Sequence, residues 1–154
     1  MSDRSAVHDT FLIERTYDAP PERVFAAWAD ESAKRRWFGP PGGGGDDYRL
    51  DFRLGGEEHL AVQAGDTVYT FDAVYRDIVQ DERIVYASYM HRDEPLMSVS
   101  LSTVEFLAAG SGTNLRYTEQ SVFLDDLDTP REREHGTRSL FDQLAEALGQ
   151  EAGV

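Results

Sequence analysis

The chain contains no cysteine. Disulfide frameworks, thiolate nucleophiles and cysteine-held metal centres are therefore excluded. Lysine is nearly absent too. Lys34 is the only one, and arginine supplies the rest of the basic charge, a balance read as compositional bias. Long apolar runs are also missing, so nothing approaches the roughly 18 residues of a membrane span. The opening Met1-Ser2-Asp3-Arg4 and the residues after it lack the apolar centre of a signal peptide, and a cytoplasmic location is the expectation. Positive charge is short overall: 15 Lys+Arg stand against 29 Asp+Glu, a net charge of −14. Such a surface repels nucleic acid and anionic membranes, so neither is expected as a partner.

What is present suits one domain. The chain has 154 residues, 40% hydrophobic and 11% aromatic, enough for one core with aromatic side chains to spare. The reading places loose ends at residues 1–9 and 150–154 and a single domain over 10–149. A first strand is predicted at about Thr10–Asp18. Pro20-Pro21-Glu22 then opens a short helix whose Val24, Phe25 and Trp28 share a face, and Asp30 caps a second one through Trp37 and Phe38. Gly42-Gly43-Gly44-Gly45 lacks the Lys-Ser/Thr pair and helix of a phosphate cradle and reads as a mobile loop. Alternation and turn residues predict six strands, at about 47–54, 57–63, 67–77, 82–90, 96–107 and 113–123. Thr129-Pro130-Arg131-Glu132 is a capping box, and Leu140, Phe141, Leu144 and Leu148 line one face of a helix over 130–148 that Gly149 is expected to stop.

This order predicts an α+β fold of helix-grip type. A curved seven-stranded antiparallel sheet wraps a long C-terminal helix, with two short helices after the first strand. Arg15-Thr16-Tyr17-Asp18-Ala19-Pro20-Pro21-Glu22-Arg23-Val24-Phe25-Ala26-Ala27-Trp28, then Trp37-Phe38 and Asp51-Phe52-Arg53-Leu54-Gly55-Gly56, resemble the activator-of-heat-shock-protein-90-ATPase-like branch of the SRPBCC (START-like) superfamily. Thr118 to Asp125 and Arg133-Glu134-His135-Gly136-Thr137 are similar to an uncharacterised bacterial subgroup of it. Many members carry Gly-Trp in the last helix where this chain has Gly136-Thr137. The resemblance implies the same fold. It also implies a range of functions: lipid carriers, hormone receptors, polyketide cyclases and co-chaperone domains.

Strand parity selects the site. Phe11, Ile13, Arg15 and Tyr17 should face inward, as should Leu115, Tyr117, Glu119, Ser121 and Phe123, and Met97, Val99, Leu101, Thr103, Glu105 and Leu107. Arg15 and Glu119 are expected to meet, first as a buried ion pair and second as a ligand-orienting pair. His59, His91 and His135 are too scattered for a metal site, and Asp125-Asp126-Leu127-Asp128 lacks the glycine and closing glutamate of a calcium loop. No metal or cofactor is expected. The leading expectation is a binding protein that encloses a small hydrophobic or aromatic ligand between sheet and last helix. Trp37, Phe38, Phe52, Phe71, Met90, Tyr117, Glu119, Arg15 and Gly136 would line an internal cavity of at least a few hundred Å³. Two alternatives stay open. One is a cyclase- or dehydratase-like enzyme using Glu119, Tyr117 or His91, and the other is a chaperone-interaction module. Homodimerisation is likewise open.

Overall fold

The computed structural model describes residues 4–40 and 47–152. The Gly42–Gly45 loop lies outside them. Strand β1 (Ala6–Tyr17) is followed by helices α1 (Pro21–Ala29) and α2 (Glu31–Arg35). Six strands follow: β2 (Asp47–Leu50), β3 (Glu57–Ala64), β4 (Thr67–Val79), β5 (Arg83–Arg92), β6 (Leu96–Ala109) and β7 (Gly112–Leu124). Helix α3 (Pro130–Ala152) ends the chain. The strands form one antiparallel sheet in the order β1-β7-β6-β5-β4-β3-β2, so the first strand lies beside the last. This is the helix-grip arrangement that the element order predicts.

Local chemistry explains the boundaries. Asp30 caps α2, its carboxylate accepting from the Ala33 N–H at 3.0 Å, and Thr129 caps α3 by accepting from the Glu132 N–H at 3.1 Å. Several ends differ from expectation; α2 stops at Arg35, short of Trp37 and Phe38. β1 begins at Ala6, not Thr10, because residues 6–9 pair with residues 121–124 and are not a loose end. β2 stops at Leu50, where the chain folds into a turn closed by Gly56 N–H donating to Arg53 O at 2.8 Å. A Cβ on Gly56 would lie 2.0 Å from the Asp51 carbonyl oxygen, so the turn requires glycine there. Helix α3 runs through Gly149 to Ala152, since Gly149 keeps helical geometry and does not turn left-handed.

The core occupies one end of the space between sheet and helix. Phe141, Leu144, Ala147 and Leu148 of α3 pack there with Val24, Phe25 and Trp28 of α1 and with Ile13, Phe106 and Leu115 of the sheet. Edge-on ring contacts tie it together: Phe25–Phe106 at 5.4 Å, Trp28–Trp37 at 4.8 Å and Tyr117–Phe141 at 5.2 Å between centroids.

The inward parity holds for β1 and β7 but is reversed in β6. Ser98, Ser100, Ser102, Val104 and Phe106 face the interior. Val99, Leu101 and Leu107 are exposed, while Glu105 stands on the outer face opposite Arg83 and Arg116. Serines inside and aliphatics outside invert the usual signal.

Candidate functional site

In the N-terminal half of α3, Gly136 and Thr137 are small, and a space remains beneath them. Gly136 lies over this space, and a Cβ added there would meet nothing within 4 Å. Thr137 folds its hydroxyl back onto the Arg133 carbonyl at 2.9 Å. The cavity measures about 370 Å³. Over β3 and β4 its wall is apolar, with Leu60, Val62 and Phe71 joined by Trp28, Trp37 and Phe38. Over β6 and β7 it is polar, with Ser102, Tyr117 and Glu119 beneath Arg133 of α3. β5 contributes Tyr86, Ser88 and Met90 between the two halves.

The polar end is one connected network. Glu119, only 4% exposed, accepts from Tyr117 Oη at 2.5 Å and from Ser121 Oγ at 2.9 Å. Arg133 Nη1 reaches the same carboxylate at 3.2 Å. Its Nη2 donates to Ser98 Oγ at 2.7 Å and to Asp128 Oδ2 at 2.9 Å, and its guanidinium lies 5.2 Å from the Phe123 ring centroid. Ser102 Oγ is 3.0 Å from Tyr117 Oη. Burial raises the pKa of the Tyr117 phenol well above the usual value, with the neighbouring Tyr86 and Glu119 adding to it. Burial raises Tyr86 as well. Both stay neutral hydroxyls able to donate or accept a hydrogen bond. Both Glu119 oxygens accept hydrogen bonds, which holds the carboxylate in place.

A second buried cluster stands behind the apolar wall. Lys34 Nζ lies 2.7 Å from Glu58 Oε2 and 2.9 Å from Oε1, with both side chains almost fully buried. Tyr48 and Tyr75 donate to the same carboxylate at 2.7 and 2.6 Å. The ammonium sits 4.5 Å from the Phe38 ring centroid and 5.2 Å from that of Trp28. Burial lowers the Lys34 pKa, and the Glu58 carboxylate opposes that shift. The one lysine is thus a structural feature, not merely a mark of composition.

Of the residues expected at the site, Trp37, Phe38, Phe71, Met90, Tyr117, Glu119 and Gly136 line the cavity. Phe52 does not. Leaving the sheet after Leu50 turns it against Phe25 and Tyr75, at 5.7 and 4.9 Å between centroids. Arg15 does not either. It faces inward at the sheet edge, where Nη1 binds Asp142 at 2.6 Å and Nη2 the Arg138 carbonyl at 3.2 Å. Opposite Arg15 on β7 is Leu115, while Glu119 stands opposite Phe11. Four residues of strand, about 13 Å, separate the two. The expected Arg15–Glu119 pair is therefore replaced by Arg15–Asp142 and Arg133–Glu119. His91 follows an irregularity in β5 and meets the exposed Tyr89 edge-on, at 6.1 Å between centroids, and does not line the cavity. His135 is exposed on α3. Among the described residues no group of His, Asp and Glu is placed to hold a metal ion. The sequence reading missed Arg133, although helical spacing puts it on the Thr137, Leu140, Leu144 and Leu148 face. It also missed Tyr86 and Ser102.

The model of the family described as Activator of Hsp90 ATPase homolog 1-like protein matches residues 18–149. The chain belongs to this family. Two solved structures are 44% identical to it. An uncharacterised protein of Rhizobium leguminosarum superposes with a TM-score of 0.92, covering 96% of this chain and 98% of that one. A protein of Rhizobium loti superposes with a TM-score of 0.86, covering 93% and 99%. The protein Ara h 8.0201, 12% identical with a TM-score of 0.71 over 93% of this chain and 99% of its own, shares the fold alone. No curated protein matches the chain. No helix among the described residues is long and apolar enough to cross a membrane.

Proposed function

We propose that this protein binds a small hydrophobic or aromatic molecule in the cavity between the sheet and α3. One observation carries the reading: a cavity of about 370 Å³ with an aromatic and aliphatic wall at one end and a fixed cluster of hydroxyls and charges at the other. Ligand pockets of roughly 300–1,000 Å³ have this composition, since apolar surface supplies affinity and a few placed polar groups set orientation. The fold is consistent with this role, because helix-grip domains include carriers and receptors of small hydrophobic molecules. The apolar body would lie among Trp37, Phe38, Phe71 and Met90, and its polar group would meet Tyr117, Ser102 and Glu119.

Both tryptophans of the chain, Trp28 and Trp37, line the cavity, so emission reports its occupancy. Titration with 1-adamantanemethanol, a compact uncharged probe without absorbance of its own in this range, is expected to change tryptophan emission saturably at one site per chain. Emission unchanged to millimolar probe counts against the reading.

A further inference from the structure

The charges around the cavity do not balance. Among the described residues, Glu119, Asp128, Glu132 and Arg133 are the charged side chains that line it. Three carboxylates face one guanidinium, which leaves two negative charges uncompensated. Both terminal nitrogens of Arg133 are engaged, Nη1 by Glu119 and Nη2 by Asp128 and Ser98. An incoming carboxylate would have to compete at them with Glu119 and Asp128, two largely buried charges that rely on this partner. The nearby buried Lys34 cannot compensate, because Glu58 neutralises it behind the aromatic wall. Arg15, at the sheet edge, is likewise paired, with Asp142. The whole chain carries −14, so its field adds to the local one.

The opposite charge is favoured on two counts. Glu119 and Asp128 are largely buried, where charge is felt more strongly than at the surface. Lys34 already stands within 6.0 Å of the Trp28, Trp37, Phe38 and Tyr86 rings, but Tyr69 and Phe71 add to the wall two further rings of the kind that attracts cations. We infer that the cavity selects its ligand by charge: it takes an apolar body bearing an amine and rejects the same body bearing a carboxylate. This rests on the proposed binding reading and names its ligand class. Glu132, exposed on the first turn of α3, contributes charge at the mouth without entering the Arg133 network.

Three probes with one body separate the two claims. 1-Adamantanemethylamine, 1-adamantanemethanol and 1-adamantaneacetate are titrated into the full chain and read by tryptophan emission. The amine is expected to bind about tenfold or more tighter than the carboxylate. Glu132→Gln, which retains the capping-box pattern, should narrow that ratio about threefold. If the alcohol binds and the carboxylate equals or exceeds the amine, charge selection is wrong while the binding reading stands. A ratio that Glu132→Gln leaves unchanged also overturns the inference. If none of the three binds, the binding reading itself fails, and with it the ligand class.

Discussion

Arg133 on α3 and Glu119 on β7 hold each other across the cavity, with Nη1 3.2 Å from Oε2. Gly136 and Thr137, the next residues of the helix over the cavity, are small, so this ion pair fastens its N-terminal half to the sheet. Glu119→Ala leaves the guanidinium with Asp128 as its one carboxylate partner and is expected to destabilise the chain by about 2 kcal/mol in urea unfolding. Adding Arg133→Ala should cost less than the sum of the two single changes. Arg15→Ala, whose partner Asp142 is largely exposed, should cost roughly 0–1 kcal/mol from the ion pair and add independently to Glu119→Ala. Measurable coupling between Arg15 and Glu119 would contradict the structure.

The buried Lys34–Glu58 pair makes a parallel case on the other side of the aromatic wall. Lys34→Met leaves the Glu58 carboxylate with only Tyr48 and Tyr75 as donors and should cost about 3–5 kcal/mol. Lys34→Met with Glu58→Gln should recover part of that loss. Equal stability of the single and double variants, measured by thermal unfolding, would show that the two side chains do not interact.

Tyr17, Tyr48, Tyr75, Tyr86 and Tyr117 all have pKa values raised, in each case first by burial. A tyrosine whose folded pKa exceeds its unfolded value near 10 contributes its full stability below pH 10 and loses it as pH rises. Each loses about 1.4 kcal/mol per pH unit above that point. Lys34 works the other way, because its lowered pKa adds stability as pH rises toward 10.5. Five groups outweigh one. Stability is expected to fall steeply above pH 10, with tyrosinate absorbance from the five appearing together with unfolding. Their gradual ionisation in the folded protein would refute the burial account.

Much of this was legible in the sequence. The capping box at Thr129, the Asp30 cap and the turn residues between strands located the elements, and the last strand showed which face of the sheet looks inward. The β6 strand misled because its inward positions are Ser98, Ser100 and Ser102, which serve the polar end of the cavity, while Val99 and Leu101 stand outside. A hydrophobic pattern cannot reveal a face built to be polar. The partner of Glu119 was misassigned for a related reason. Parity gives the face of a strand but not the register along it, and four residues of offset separate Arg15 from Glu119. Lys34 carried no local signal, because Glu58, Tyr48 and Tyr75 reach it from strands brought alongside only by the fold.

Gly136 tests the open space under α3. It sits inside a helix with nothing near its missing Cβ, so Gly136→Ala should stabilise the protein by about 0.5–1 kcal/mol through backbone entropy and helix propensity. Gly136→Leu should fold as well but fill part of the cavity, weakening probe binding. A Gly136→Ala variant that loses stability would mean the space is already occupied.

A crystal structure grown with saturating 1-adamantanemethanol decides whether the cavity between sheet and α3 receives the ligand. Density for the probe is expected beneath Gly136 and Leu140, its body against Met90 and Phe71 and its hydroxyl toward Tyr117 or Ser102. A cavity filled by its own side chains would contradict it. So would a probe bound only in the groove on the outer sheet face between His8, Leu101 and Val122.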